Sequence, residues 1–302
     1  MDLWIVITLA AAFLQNVRSA LQKHLKSSLS TSGATFSRFA FAAPLAILYV
    51  LALKTFGGFE LPHLNLAFLG YMIAGGLGQI LATALLVRLF SFRNFAVGTT
   101  FSKTETVQTA IFGFLILGDS MTAIAAIAIL ISLAGVFVIS SARAEKGLRG
   151  LLFSLANRTA LIGIASGACF GLSAVSYRAA SLSLASGDFL MQAAVTLAAV
   201  TSFQTLVMAL YMAWREPGQI TAVLHSWRVS TWVGFTGMSA SACWFTAMTI
   251  QNAAYVRALG QIELIFTFAA SYFIFHERSN RLELIGITLV TAGILALLLE
   301  IE

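Results

Sequence analysis

Apolar runs of about twenty residues follow one another along almost the whole chain, and this pattern leaves few folds open. An apolar helix needs about 20 residues to cross the hydrocarbon core of a membrane. Of the 302 residues, 59% are hydrophobic and 10% are charged, whereas soluble domains carry about 25% charged residues. The runs do not alternate between apolar and polar residues as the strands of a membrane barrel do. We therefore predict an all-α membrane protein.

Ten runs can be separated, and each is predicted as one transmembrane helix. The first five are Leu3–Lys23, Gly33–Leu53, Leu64–Phe90, Phe95–Leu117 and Met121–Ser140. The second five are Thr159–Ala180, Asp188–Ala213, Thr231–Ile250, Ala253–Phe275 and Leu282–Leu299. They leave no stretch long enough for a soluble domain. We expect a multi-pass integral protein of the inner or plasma membrane, with lipid around it.

A polar segment divides the ten runs into two sets of five. We predict residues 1–140 as the first repeat, 141–158 as a connecting loop and 159–302 as the second repeat. Because five is odd, the second set must enter the membrane from the opposite side. The repeats would then be inverted, an arrangement that supports alternating access around a central cavity. Since one chain supplies both halves, a functional monomer is compatible with this prediction.

Two glutamates occupy matching places in the two halves. At an offset of 158 positions, Glu105 falls on Glu263. Four more pairs follow the same offset, namely Gly76 with Gly234, Asn94 with Asn252, Asp119 with Glu277, and Gly135 with Gly293. A carboxylate at bilayer depth is costly and commonly marks a site or a pathway. We predict that both glutamates line a solute site between the halves; the alternative is that each only holds helices together.

Further candidates for the solute site are polar or aromatic side chains within the predicted spans. They are Lys103, Gln15, Asn16, Arg18, Gln79, Gln108, Tyr177, Trp244 and Tyr255. Polar groups inside a bundle can line a wet cavity or bond across helices. Aromatic rings can line a site for a flat solute, although core packing is their commoner role. Lys103 lies two positions from Glu105 and hence on a different face of the helix, so a carboxylate partner for it would lie elsewhere in the bundle.

Several function classes find no support in the sequence. There is no Ser-His-Asp grouping and no HExxH motif, and the GGLG of the third run is not followed by a Walker lysine. The four histidines show no metal spacing, and the two cysteines form no disulfide framework. The basic residues are scattered through short loops, unlike a nucleic-acid-binding face. We expect no enzyme, cofactor, metal or nucleic-acid partner, and a small-molecule solute instead.

Two short segments carry a family resemblance. Each half has an apolar run that ends in LGD (Leu117–Asp119) or HE (His276–Glu277) and is followed by a glycine-bearing run. These segments resemble the ten-helix EamA-type branch of the drug/metabolite transporter superfamily. Glu105 and Glu263 match the glutamate of that family's recurrent Glu-Pro pair. The resemblance implies export or exchange of small metabolites, often amino acids, through a central cavity.

The chain departs from the family pattern at the proline of that pair, where Thr106 and Leu264 stand. The resemblance does not fix the solute, so the charges of the predicted cavity are used to infer it. A zwitterion suits a cavity that offers both signs, as Glu105 and Glu263 do together with Lys103 and Arg18. Two alternatives stay open: a proton-coupled exporter of lipophilic cations, and a membrane scaffold that transports nothing.

Orientation follows from the placement of lysine and arginine. Twelve of them fall on the predicted face that holds the central loop, and three on the other face: Lys54, Arg178 and Arg257. This bias predicts a cytosolic central loop with both termini outside. The family resemblance implies cytosolic termini, so the two arguments disagree.

Overall fold

A computed structural model describes residues 2–25, 28–89, 100–142, 157–184, 188–273 and 281–301, and helices dominate these ranges. We number the helices α1 (Leu3–Leu25), α2 (Thr31–Phe56), α3 (Leu66–Leu89), α4 (Glu105–Leu117), α5 (Ala123–Ala142), α6 (Arg158–Ser183), α7 (Phe189–Arg215), α8 (Gln219–His225), α9 (Trp227–Ile250), α10 (Ala253–Leu259), α11 (Ile262–Phe273) and α12 (Arg281–Ile301). Seven of them, α1, α2, α3, α5, α6, α7 and α12, are long and apolar enough to cross a membrane. The protein is therefore a multi-pass membrane protein.

The ninth predicted span is not one helix. The expected span Ala253–Phe275 is divided into α10 and α11 by a turn at Gly260 and Gln261. The fourth span is interrupted in the same way, as described below. Ten spans in inverted repeats remain a prediction. Several positions used in it lie outside the described residues, namely Asn94, Phe95, His276, Glu277 and most of the connecting loop.

The chain forms two compact units, and each unit takes segments from both halves of the sequence. The first unit consists of Met1–Leu77 and Ser176–Gln251. The second unit consists of Gly78–Val175 and Asn252–Glu302. Neither unit coincides with a predicted repeat, so the division at residues 141–158 remains a statement about the sequence.

The first unit is a bundle in which α1 packs on α9, and α2 packs on both α7 and α9. An arginine closes one end of α9. Arg178, near the end of α6, donates hydrogen bonds of 2.7 Å to the carbonyls of Met248 and Gln251. The last carbonyls of a helix have no partner within it, and a cation there also suits the helix dipole. Arg178 is thus held by packing within the protein.

The second unit is built around the close contact of α5 with α12. A β-carbon on Gly135 would lie 2.6 Å from the carbonyl oxygen of Gly286. A β-carbon on Gly293 would lie 2.7 Å from the carbonyl oxygen of Ala128. The two glycines that match at the 158-residue offset therefore act reciprocally, each admitting the backbone of the other helix. Close backbone approach of this kind is a main source of helix association in lipid.

We predict that Gly135→Ala and Gly293→Ala each lower the free energy of unfolding by about 1–3 kcal/mol, because the added methyl group overpacks the α5–α12 contact. Thermal unfolding of the purified protein in detergent measures the effect. Gly70→Ala is the matched control, since it makes the same change in a helix where a β-carbon meets no atom within 4 Å. Equal stability of Gly135→Ala and Gly70→Ala would contradict the role assigned to Gly135.

Candidate functional site

The helix that carries Glu105 is interrupted immediately before the glutamate. Residues 100–102 are helical, Lys103 and Thr104 form a turn, and α4 begins at Glu105. The backbone N–H groups of Lys103 and Thr104 bond to carbonyls three residues earlier, at 3.0 and 3.2 Å. Bonds over three residues are those of a 3₁₀ turn, which within a longer helix often marks a functional hinge.

The helix that carries Glu263 is interrupted in the same way. Leu259 ends α10, Gly260 and Gln261 form a turn, and α11 begins at Ile262. The N–H of Gln261 bonds to a carbonyl three residues earlier at 3.1 Å, as does that of Glu263. Both glutamates therefore lie in the first turn of a half-helix. Negative side chains are stabilised there by the positive end of the helix dipole.

Charged residues from the two halves of the sequence pair across the two breaks. Nζ of Lys103, from the first half, donates to the carboxylate of Glu263. Nη1 of Arg257, from the second half, lies 3.8 Å from Oε1 of Glu105. We call these four residues the charge quartet. Each glutamate thus finds its cation in the other half.

A neutral contact accompanies the quartet. Nε2 of Gln261 donates to Oγ1 of Thr106 at 3.2 Å. At the 158-residue offset Gln261 is the counterpart of Lys103. Each turn therefore contributes, from the equivalent position, a side chain that contacts the other segment. Gln261 is buried, with 4% of its surface exposed. The breaks are therefore joined by two ion pairs and one hydrogen bond.

The quartet is largely shielded and has no net charge. The exposed fractions are 27% for Lys103, 15% for Glu263, 16% for Arg257 and 13% for Glu105. Ionisable groups at membrane depth are costly unless they are paired or face a wet cavity. Two cations and two anions in mutual contact meet the first condition. Part of each side chain remains exposed.

Two glycines of α6 hold the first break in place. A β-carbon on Gly167 would lie 2.7 Å from the carbonyl oxygen of Ser102 and 3.2 Å from the N of Glu105. A β-carbon on Gly171 would lie 3.2 Å from the carbonyl oxygen of Glu105 and 3.0 Å from the N of Thr109. Glycines four residues apart let a helix backbone approach its neighbour closely. The position of Glu105 is thus determined by backbone contact with α6.

Comparison with known proteins identifies the family of the chain. The profile of the EamA-like transporter family matches residues 2–141 and 157–299. The chain belongs to the EamA-like transporter family. A search of the curated proteins finds no match. One solved structure, described only as the crystal structure of a protein, covers 98% of this chain and 96% of its own, with a TM-score of 0.71 and 15% identity; at that identity the likeness shows the fold alone.

Eleven residues were predicted from the sequence to line one solute site. The structure places six of them in the second unit. Lys103, Glu105 and Glu263 meet in the charge quartet. Gln108 follows on α4, and its Nε2 donates to a carbonyl of α6 at 3.3 Å. Tyr255 packs against the buried cluster of α5, α10 and α12. Gln79 lies half-buried on α3.

The other five predicted residues belong to the first unit, and four of them lie on α1 or α9, the two helices that pack on each other. Nε1 of Trp244, on α9, donates to Oε1 of Gln15 on α1 at 3.1 Å. Asn16 is the next residue and is half-buried. A β-carbon on Gly237 of α9 would lie 3.3 Å from the stem of Arg18, so this glycine makes room for the arginine.

Tyr177 has a packing role in the first unit. It is 3% exposed, its hydroxyl donates to the carbonyl of Gly75 at 3.0 Å, and its ring stacks on Phe245 with centroids 4.5 Å apart. Gln204 donates to the same hydroxyl at 3.2 Å. A proposed contact between Tyr177 and solute would require this network to open.

Four residues of this region, Arg257, Gln261, Gly167 and Gly171, were not predicted from the sequence. Arg257 was counted as a flanking charge near a helix end, but α10 ends two residues after it, and the break that follows makes Arg257 part of the quartet. The sequence did carry a signal for Arg257: it is a basic residue inside a predicted span, four positions before the polar Gln261. For the glycines the signal was their spacing, which is that of the small-residue contacts common in membrane helices.

We predict that Lys103→Met and Glu263→Gln each lower the free energy of unfolding by about 3 kcal/mol, because each leaves a shielded charge without its partner. The double variant Lys103→Met/Glu263→Gln should recover most of that loss, since it leaves no unpaired charge. Unfolding by titration with denaturing detergent measures all three variants. Additive losses in the double variant would show that the two residues do not depend on each other.

Proposed function

We propose that this EamA-like chain exports small zwitterionic metabolites, amino acids first among them, across the inner or plasma membrane by alternating access. The observation that carries the proposal is the pair of interrupted helices whose charged residues exchange partners. In many secondary transporters, half-helix ends near mid-membrane form the solute site. The family supports a membrane transporter of small solutes; the solute, direction and mechanism are our proposal.

The charges of the site favour a zwitterion. Glu105 and Glu263 offer two acceptors for a solute cation, while Lys103 and Arg257 offer two partners for a solute anion. A solute carrying one charge of each sign can join the quartet without changing its net charge of zero. Burying an uncompensated charge would carry a large energetic penalty.

A proton-coupled exporter of lipophilic cations is the alternative reading, and it calls for a bare carboxylate in the site. Glu263 is hydrogen-bonded to Lys103, and Glu105 has Arg257 at 3.8 Å. An added cation would have to compete with a resident one at either glutamate. These contacts support the zwitterion over the cation.

In the proposed cycle the 3₁₀ turns act as hinges. The turns at residues 103–104 and 260–261 join half-helices with fewer regular hydrogen bonds than a continuous helix, so they can bend at lower cost. A solute that binds one arrangement of the half-helices more tightly shifts the population toward it. The sequence lacks the family proline at both places, and the 3₁₀ turns take over the role of a kink.

The orientation of the chain remains part of the proposal. Arg178 and Arg257, two of the three basic residues assigned to the outer face, form contacts within the protein. Their positions therefore follow from packing and say little about topology. Without them the charge bias still favours a cytosolic central loop.

Counterflow into liposomes that contain the purified protein tests the proposal, with a panel of the common amino acids and a cationic dye as probes. We predict exchange of one or more amino acids and no dye flux. Glu105→Gln should slow the exchange about tenfold or more, as expected when hydrogen bonds to a charged group are weakened. Glu60→Gln is the matched control, because Glu60 is exposed in the α2–α3 loop.

Two results would contradict the proposed function. Dye flux driven by a pH gradient, without amino-acid exchange, would favour the cation exporter. Absence of both activities in liposomes that hold folded protein would favour a scaffold.

A further inference from the structure

The two ion pairs of the charge quartet differ in a way that suggests different roles. Lys103 donates a hydrogen bond to Glu263. Arg257 and Glu105 are separated by 3.8 Å, beyond the 2.7–3.2 Å of an N–H···O hydrogen bond. The first pair is therefore a closed contact, whereas the second is a loose one that a third group can enter.

An unsatisfied acceptor belongs to the second helix break, four residues after Arg257. Gln261 is 96% buried, the complement of its 4% exposure, and its Nε2 is used by Thr106. Among the described residues its Oε1 has no hydrogen-bond partner. Buried polar atoms are nearly always paired, and an exception calls for an explanation. A donor supplied by a ligand is one explanation, and it fits a site that is built to be filled.

The acceptor and the loose pair belong to the same contact between α4 and the second break. Gln261 follows Arg257 by four positions, and their partners Thr106 and Glu105 are consecutive in the first turn of α4. The Oε1 of Gln261 and the carboxylate of Glu105 therefore belong to one contact between the two segments, and the place between them is the candidate position for a ligand donor. A carboxylate and an amide oxygen together suit a cation with several N–H donors.

We propose that this place is the subsite for the primary ammonium group of the solute. The ammonium takes the carboxylate of Glu105 and the Oε1 of Gln261, and it displaces Arg257. The guanidinium of Arg257 then takes the carboxylate of the solute, while the Lys103–Glu263 pair stays closed and keeps the breaks together. This inference rests on the proposed function and names the recognition that the site performs.

The proposed subsite gives a definite order of preference among related compounds. A primary ammonium has three N–H donors, and an N-acetyl group has one and no charge. The N-acetyl derivative of an amino acid therefore loses the interaction with Glu105 and Gln261. The methyl ester keeps the ammonium and loses the contact with Arg257. We expect the free amino acid to bind most tightly, the ester next and the N-acetyl compound least.

Binding to the full-length protein in detergent tests the subsite without requiring transport. The common amino acids are ranked by calorimetry, and the tightest is compared with its methyl ester and its N-acetyl derivative. Gln261→Met, which keeps the length of the side chain, should weaken the free amino acid and the ester by roughly 10- to 100-fold, the loss expected for a hydrogen bond to a charged group. Gln192→Met on α7 is the matched control and should leave affinity unchanged, because that glutamine bonds to the carbonyl of Leu184.

A second variant, Gln261→Glu, is expected not to lose affinity for the methyl ester. It therefore distinguishes loss of the subsite in Gln261→Met from a folding defect. It keeps an acceptor and adds negative charge, so the methyl ester should bind at least as tightly as to the wild type. The subsite is overturned if no primary amine binds the wild type, if the N-acetyl compound binds as tightly as the free amino acid, or if Gln261→Met leaves the ranking unchanged. Binding without counterflow supports the subsite and overturns the proposed function. Counterflow that does not need the ammonium overturns the subsite alone.

Discussion

The exchange of ionic partners between two helix breaks is the interaction on which the rest of this structure depends. A charged side chain at the centre of a membrane helix costs about 2.5–3.5 kcal/mol on insertion scales, and the second unit carries four at one place. The negative charge of each glutamate is compensated by a cation from the other half of the sequence. Neither half can neutralise its own carboxylate with these contacts. The pairing therefore ties the two halves together at the point where both helices are weakest.

Backbone contacts at glycine keep these breaks in position. Lipid tails are as apolar as leucine, so helices in a membrane associate through close packing and polar contacts. Gly167 and Gly171 bring α6 onto the backbone of Glu105. Gly135 and Gly293 bring α5 and α12 together beside α10. The quartet residues lie in or beside 3₁₀ turns, which have poorer hydrogen bonds than an α-helix. The neighbouring helices stabilise these turns by packing against the chain on both sides.

The features that sequence analysis predicted well are those that a local pattern or a repeat reveals. Apolar runs of helical length give the membrane class, and matched positions single out Glu105 with Glu263 and Gly135 with Gly293. The breaks were missed, because proline is the usual sequence signal for one and Thr106 and Leu264 stand in its place. The pairing of Lys103 was left open, and its partner proved to be Glu263. A residue such as Arg257, read as a helix-end charge, gains its role only from a contact between segments about 150 positions apart.

Bridging the two breaks tests the central claim most directly. In a chain without its native cysteines, Ala110→Cys and Ala258→Cys place two thiols in the cluster where α4 packs on α10, at positions that belong neither to the charge quartet nor to the ammonium subsite. A short bifunctional thiosulfonate can join them. If the half-helices must move against each other, the bridge stops amino-acid counterflow, and reduction restores it. A monofunctional thiosulfonate on the same variant controls for modification alone. Undiminished counterflow through the bridged protein would show that solute does not pass by movement of these breaks.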